Sequence, residues 1–182
     1  LTCASGSTAL DLIMLAWQFG PGDAVFTSPF TFAATAESIA RTGATPIFVD
    51  IDPASFNIDA AQLAQAVGAV LSGDPTQYPL PAIAQKQKLR PRAVVTVDIF
   101  GHPADYDAIF TTAQKFDLLV LEDAAQSLGG TYRGKPLCGC GCDAAAASFF
   151  PTKPLGCYGD GGAIFTNDDE LAHKIRGIVN HG

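Results

Sequence analysis

Short apolar runs alternate along this chain with longer stretches of helical pattern. The runs rich in Val, Ile, Phe and Ala cover residues 24–27 (AVFT), 45–50 (TPIFVD), 93–97 (AVVTV), 118–123 (LLVLED), 144–150 (AAAASFF) and 162–166 (GAIFT). Between them the pattern predicts helices near residues 8–19, 32–41, 60–71, 104–116 and 168–178. Strands that read as nearly continuous apolar runs are buried on both faces, and their alternation with helices of this length implies crossover units around a mostly parallel sheet. The expected fold is therefore α/β, a three-layer α/β/α sandwich. Residues 72–91 break the pattern with four prolines and much of the local charge, so an exposed insertion is expected there. In open α/β sheets ligands bind beyond the carboxyl ends of the strands. That rule directs attention to Phe32, Asp98, Asp123 and Lys153, each of which follows or closes a predicted strand.

Composition narrows the partners. The 182 residues are 48% hydrophobic, enough for a substantial single-domain core. A net charge of −7 without a basic cluster argues against DNA or RNA as a partner. The longest early apolar stretch is interrupted by Asp11 and is far shorter than the roughly 20 residues a membrane span needs. No secretory signal is visible, and a start at LTCASGST with an end at VNHG reads as a segment of a longer chain. Five cysteines, an odd number, favour a reducing cytoplasm over a disulfide framework. Three of them, Cys138, Cys140 and Cys142, crowd into CGCGC. No C-x-x-C pair accompanies them and no H-x₃₋₅-H pair follows, so small residues in a tight loop are expected rather than a metal site.

Three stretches could carry chemistry. SGSTAL (residues 5–10) puts small residues ahead of an apolar helix, where free N–H groups and the helix dipole suit a phosphate, with Ser7 and Thr8 adding hydroxyls. An ordinary N-cap by Ser5 or Ser7 explains the same residues and is the favoured reading of this motif taken alone. VLEDAAQS ends a strand on Glu122 and Asp123 and then presents Gln126. A carboxylate there can hold a metal, cap a helix or pair with a cationic heterocycle. SFFPTKPLGCYGDGG sets Lys153 between Pro151 and Pro154 in a glycine-rich turn after an apolar strand. An apolar setting lowers an amine's pKa by penalising its charged form, as covalent carbonyl chemistry requires. GCGCDA matches a G-x-G-x-x-A string without the strand before it and the helix after it, and no P-loop motif occurs. Those gaps weaken a doubly wound enzyme using NAD or a metal.

Seven motifs together, SGSTALDL, SPFTFAATAESI, FVDIDPASFNID, VDIFGHPADYD, LEDAAQSLGGTYRGK, SFFPTKPLGCYGDGGAIFTNDDELAHKIR and the terminal HG, resemble in order and spacing the large domain of the DegT/DnrJ/EryC1/StrS sugar aminotransferases. The resemblance implies the pyridoxal-phosphate-dependent aspartate-aminotransferase fold over residues 1–182, with an N-terminal arm and a smaller C-terminal domain absent. It implies that Lys153 condenses with the cofactor aldehyde, Asp123 pairs with the protonated pyridine nitrogen, Gln126 lies near the ring hydroxyl, Phe32 stacks on the ring, and Ser7, Thr8 and Ser148 hold the phosphate. It further implies a homodimer that moves an amino group from an amino acid, with glutamate as donor, to the keto group of a nucleotide-linked sugar. Family members that dehydrate sugars carry His in place of Lys153, and the SFFPTKPLGCYGDGG wording is closest to members that aminate UDP-linked keto-uronic acids. A non-catalytic domain that keeps the fold and the phosphate cradle is the alternative.

Overall fold

A computed structural model describes residues 1–180. The terminal HG motif, His181 and Gly182, lies outside the described residues. The elements run β1 (Thr2–Cys3), α1 (Gly6–Ala16), β2 (Asp23–Thr27), α2 (Ala33–Arg41), β3 (Thr45–Phe48), α3 (Ala60–Ser72), β4 (Arg90–Val97), α4 (Tyr106–Phe116), β5 (Leu119–Asp123), β6 (Thr131–Tyr132), β7 (Lys135–Pro136), β8 (Ala144–Ser148), β9 (Gly162–Phe165) and α5 (Asp169–Val179). Seven strands form one sheet in the order β1-β9-β8-β5-β4-β2-β3. The pairings from β3 to β8 are parallel, and β9 runs antiparallel to both β8 and β1.

The period-two alternation of side chains divides the core into two layers. Ala24, Phe26, Val94 and Val120 pack with Leu63, Val67 and Val70 of α3 and Ile109 of α4. Val25, Val95, Leu121, Ala146 and Ile164 pack on the other face with Ile13 of α1, Ile39 of α2 and Ile175 of α5. Each fully buried aliphatic of this kind contributes about 1.5–3 kcal/mol, so the unbroken apolar runs are what the two helical layers demand. Helix starts are set by side chains that accept orphan N–H groups. Ser5 accepts from Thr8, Asp59 from Ala61 and Gln62, Asp105 from Ala108, and Asp168 from Glu170 and Leu171. These caps place α1 two residues earlier than the apolar pattern suggests and α4 two residues later.

The stretch from residue 72 is mostly exposed, as expected, but it is anchored at its ends and at two buried residues. Ser72 ends α3, Gly73 closes that helix in the left-handed region (φ 71°), and Arg90 and Pro91 already belong to β4. Tyr78 and Leu89 are buried in the α3 side of the core. The Tyr78 hydroxyl donates to Phe48 O and accepts from Asp50 N, both at 3.3 Å. The segment is thus pinned beside β3 at one aromatic residue. The small β6–β7 hairpin, which the apolar pattern does not signal, turns on Arg133 and Gly134, both at positive φ, as a two-residue hairpin loop requires.

Two glycines let α1 dock on the sheet. A Cβ on Gly162 would lie 2.4 Å from Ser5 C and O and 2.8 Å from Gly6 N, and one on Gly6 would lie 2.7 Å from Ser148 Cβ. The atoms met at Gly162 are backbone, which cannot swing aside. Gly162→Ala is therefore expected to cost about 1–3 kcal/mol of unfolding free energy in a denaturant titration. Gly68→Ala is the control. It adds a methyl to the α3 interior, where nothing lies within 4 Å, and helix propensity favours it by about 0.8–1 kcal/mol.

Candidate active site

Four segments meet at the carboxyl edge of the parallel strands around a cavity of about 680 Å³. They are the start of α1, the start of α2, the end of β5, and the end of β8 with the loop that follows. Of the residues the sequence singles out, Ser7, Phe32, Asp123, Ser148 and Lys153 line it. Thr8 and Gln126 do not. Thr8 reaches it only through Ser5, with which its hydroxyl shares a hydrogen bond of 2.9 Å, and Gln126 is exposed beyond the end of β5.

Asp123 closes β5 and is 6% exposed. Its Oδ2 accepts the Thr35 hydroxyl at 2.9 Å and its Oδ1 accepts Ala125 N–H at 3.2 Å. Because Thr35 donates to Asp123, the 2.9 Å contact between the Thr31 and Thr35 hydroxyls has Thr31 as donor. Burial pushes the Asp123 carboxyl above its ordinary range, opposed by the Thr35 and Ala125 hydrogen bonds and by the nearby positive charge of Lys153. The result is an oriented carboxylate, short of countercharge, that faces a cavity. Thr35 escapes the sequence analysis although its position offers a signal. It stands three residues after Phe32, the N-cap of α2, so both meet the same side of the helix start.

At the opposite wall Ser5 caps α1, accepting Thr8 N–H at 3.0 Å. The N-cap reading of SGSTAL therefore holds for Ser5, while Ser7 still lines the cavity. Ser148 Oγ, at the end of β8, accepts Phe150 N–H at 3.3 Å. The first turn of an 11-residue helix thus lies beside two serine hydroxyls, an arrangement that suits a dianionic group.

Lys153 sits in the turn after β8, which is held by Lys153 N–H on Phe150 O and Cys157 N–H on Phe149 O, both at 2.8 Å. Its side chain is half-buried. Pro151, Thr152, Pro154 and Leu155 around it are exposed, so the apolar enclosure expected from the sequence is not supplied by this loop. Phe32 is 76% exposed, a ring at the cavity wall with one face uncovered.

The two other acids flagged at strand ends point elsewhere. Asp98 is fully buried and accepts Ala104 N–H, the Tyr106 hydroxyl and the Ser127 hydroxyl at 3.0, 2.8 and 2.7 Å. It ties the loop after β4 to α4 and to the turn after β5. Glu122, one residue before Asp123, faces the other side of the sheet and contacts Cys138 and Cys140. Burial pushes its carboxyl up to about 9, with the Asp98 charge adding to the rise against the Cys138 hydrogen bond.

The sequence profile of the DegT/DnrJ/EryC1/StrS aminotransferase family matches residues 1–182. The chain belongs to that family. Among relatives of the DegT/DnrJ/EryC1/StrS group, a Pseudomonas aeruginosa protein named UDP-2-acetamido-2-deoxy-3-oxo-D-glucuronate aminotransferase is 46% identical over 182 residues, covering 100% of this chain and 45% of its own length. A crystal structure of a DegT/DnrJ/EryC1/StrS aminotransferase from Brucella abortus superposes with a TM-score of 0.88 at 44% identity, covering 100% of this chain and 45% of that one. The structure of ntda from Bacillus subtilis with bound cofactor PMP superposes with a TM-score of 0.80 at 30% identity, over 100% of this chain and 36% of that one. The chain therefore spans less than half the length of these members of the DegT/DnrJ/EryC1/StrS family.

Proposed function

We propose that residues 1–182 form the cofactor-binding large domain of a longer pyridoxal-phosphate-dependent aminotransferase, which moves an amino group from an amino acid, glutamate in the first instance, to the keto group of a nucleotide-linked sugar. The observation that carries this reading is the meeting of the Lys153 amine, the Asp123 carboxylate and the start of α1 at one cavity. A primary amine, a buried carboxylate and a helix N-terminus are the three anchors that an aldehyde, a basic ring nitrogen and a phosphate need, and the donor set fits the group. That ntda, a structural neighbour, holds PMP supports the same cofactor class here.

Bound there, pyridoxal phosphate supplies an electron sink for the pair left when a donor Cα–H bond breaks. The chain's own part is positional and acid–base. The start of α1 with Ser7 and Ser148 holds the phosphate, so the cofactor stays in place whenever the covalent link to Lys153 is exchanged. Phe32 fixes the ring plane. Asp123, oriented by Thr35 and Ala125, keeps a proton on the ring nitrogen. Lys153 Nζ would be the amine that holds the cofactor aldehyde and, when free, would take the proton from the donor Cα as general base and return it as general acid. Thr8 beside the phosphate and Gln126 near the ring hydroxyl complete the proposed set. A binding-only domain could tolerate loss of Lys153 or Asp123, and both are present at this cavity.

The name of the Pseudomonas aeruginosa relative supports a UDP-linked keto-uronic acid as acceptor. Phe32 and Phe150 line the cavity yet are 76% and 48% exposed, and Leu155 beside Lys153 is 59% exposed. Apolar surface of this kind at a site is what a second subunit would cover, which supports a homodimer. All five cysteines are free, which supports a reducing cytoplasm. Among the described residues no helix is long and apolar enough to cross a membrane.

The test uses the full-length polypeptide incubated with pyridoxal phosphate, reduced with borohydride and digested. A cofactor adduct on the Lys153 peptide, prevented by prior incubation with glutamate, is the expected result. A cofactor that remains fully dialysable after reduction overturns the reading. An adduct that glutamate leaves untouched supports the binding-only domain instead.

A further inference from the structure

Behind the cavity, on the opposite face of β5, lies a constellation that amino transfer does not use. Glu122 is completely buried. Its Oε1 accepts Cys138 N–H at 2.8 Å, its Oε2 lies 3.7 Å from Cys140 Sγ, and that sulfur lies 3.8 Å from Cys142 Sγ. One ligand atom from each of Glu122, Cys140 and Cys142 falls within 4.8 Å of the other two. No ion pair among the described residues reaches Glu122, and the next charged group on this side is another acid, Asp98. Two thiols and a buried carboxyl thus converge without a cation.

We propose that Glu122, Cys140 and Cys142 form a zinc site, with water completing the fourth position. Tetrahedral zinc, with Zn–S near 2.3 Å and Zn–O near 2.0 Å, sets two thiolate sulfurs about 3.8 Å apart and a sulfur about 3.5 Å from a carboxylate oxygen. The observed 3.8 and 3.7 Å match two of the three separations to within a few tenths of an ångström, and the Glu122–Cys142 pair, within 4.8 Å, closes the set when the carboxylate or the Cys142 side chain turns inward. Thiolate with carboxylate is a borderline-soft set that suits zinc better than calcium or magnesium. The Cys138 N–H bond to Oε1 fixes the carboxylate so that Oε2 turns toward the sulfurs, the kind of outer hydrogen bond that orients metal ligands. A disulfide between Cys140 and Cys142 would use the thiols and leave Glu122 buried in its protonated form, whereas a divalent cation engages all three groups. Uptake replaces the protons on the two thiols and on Glu122 with the metal, so it releases protons to solvent. Cys142 is only partly buried, which gives the ion a way in.

The ordinary zinc signature is absent from the sequence because the third ligand comes from a strand 18 residues before Cys140. The consequence for the fold is a clamp. Zinc would tie residues 140–142 to β5 one position before Asp123, fixing from behind the strand end that presents the carboxylate to the cavity.

The experiment uses the full-length protein, purified without chelator, with metal content read by plasma mass spectrometry. About one zinc per chain is expected, and cobalt added after chelation should give the thiolate charge-transfer band of a tetrahedral site. Cys140→Ser and Cys142→Ser should lose the metal. Glu122→Gln should weaken it by about 10–100-fold, and Cys138→Ser should retain it. Should the serine variants fail to fold, the wild-type protein still decides the matter. A chelator should accelerate alkylation of Cys140 and Cys142 by about 10-fold or more, while exposed Cys157 reacts at one rate throughout. The proposal is overturned by zinc below about 0.1 equivalent per chain, by a Cys140–Cys142 disulfide in the protein as isolated, by metal that a folded double serine variant keeps, or by alkylation indifferent to the chelator.

Discussion

Lys153→Ala in the full-length enzyme is expected to lower amino transfer by at least about 10³-fold and to abolish the borohydride-fixed adduct, while the protein still folds and still binds the cofactor reversibly. The size of the effect follows from two losses at one atom, Nζ, which is both covalent anchor and proton carrier in the proposed reaction. Folding should survive because Lys153 is half-buried in an exposed turn, and the hydrogen bonds that hold the turn are made by backbone atoms of Phe149, Phe150, Lys153 and Cys157. Reversible binding should survive because the start of α1, Ser7 and Ser148 do not depend on the amine. Turnover assays, equilibrium dialysis with pyridoxal phosphate and circular dichroism read the three outcomes separately. Near-normal turnover in the variant would remove Lys153 from the chemistry altogether.

Asp123→Asn is expected to pull stability and activity in opposite directions. In the cofactor-free protein the carboxylate is buried and its charged form is disfavoured, so a neutral amide of the same shape relieves a cost. The amide oxygen can accept Ala125 N–H. The Thr35 hydroxyl can rotate to accept from the amide nitrogen, passing its own proton toward Thr31. The folded-state pKa of Asp123 is raised, so its contribution is most favourable below the ordinary aspartate value and is lost as pH climbs through the folded value. The cofactor-free variant should therefore melt higher than wild type at neutral pH and lose that part of the pH slope. With pyridoxal phosphate present the order should reverse, because the ring nitrogen loses its anionic partner, and turnover should fall by about 10²–10⁴-fold. Thermal melts with and without cofactor, set beside turnover, check both signs.

The layers of this fold could be read from the chain because its buried strands, unlike half-solvated ones, leave no polar gaps. β2, β5 and β8 are almost wholly buried, and their apolar runs announce both their length and their neighbours. What escaped was whatever depends on two or three residues. β1 is a two-residue strand whose register is set by β9 far along the chain, and the β6–β7 hairpin rests on an Arg-Gly turn rather than on apolar content. Tyr78 shows the same limit, since prolines and charge dominate its segment while one buried ring decides where it lies. At the cavity, Lys153, Asp123 and Phe32 were visible because loops after strands carry chemistry in α/β folds, Ser7 because small residues precede an apolar helix, and Ser148 only through the family resemblance. Thr35 was hidden because its partner lies 88 residues away. The meeting of Glu122 with Cys140 was hidden because spacing along the chain says nothing about which cysteines a strand's reverse face will meet.

The docking of β1 on β9 sets an order of events on the ribosome. Ile164 N–H donates to Leu1 O at 2.8 Å, Thr2 pairs with Ala163, and Gly162 packs under Ser5. A nascent chain displays α1 long before the strand that seats it has been made. The proposed anion-holding corner closes only after residue 165 has cleared the exit tunnel, so the cofactor site cannot form before β9 emerges.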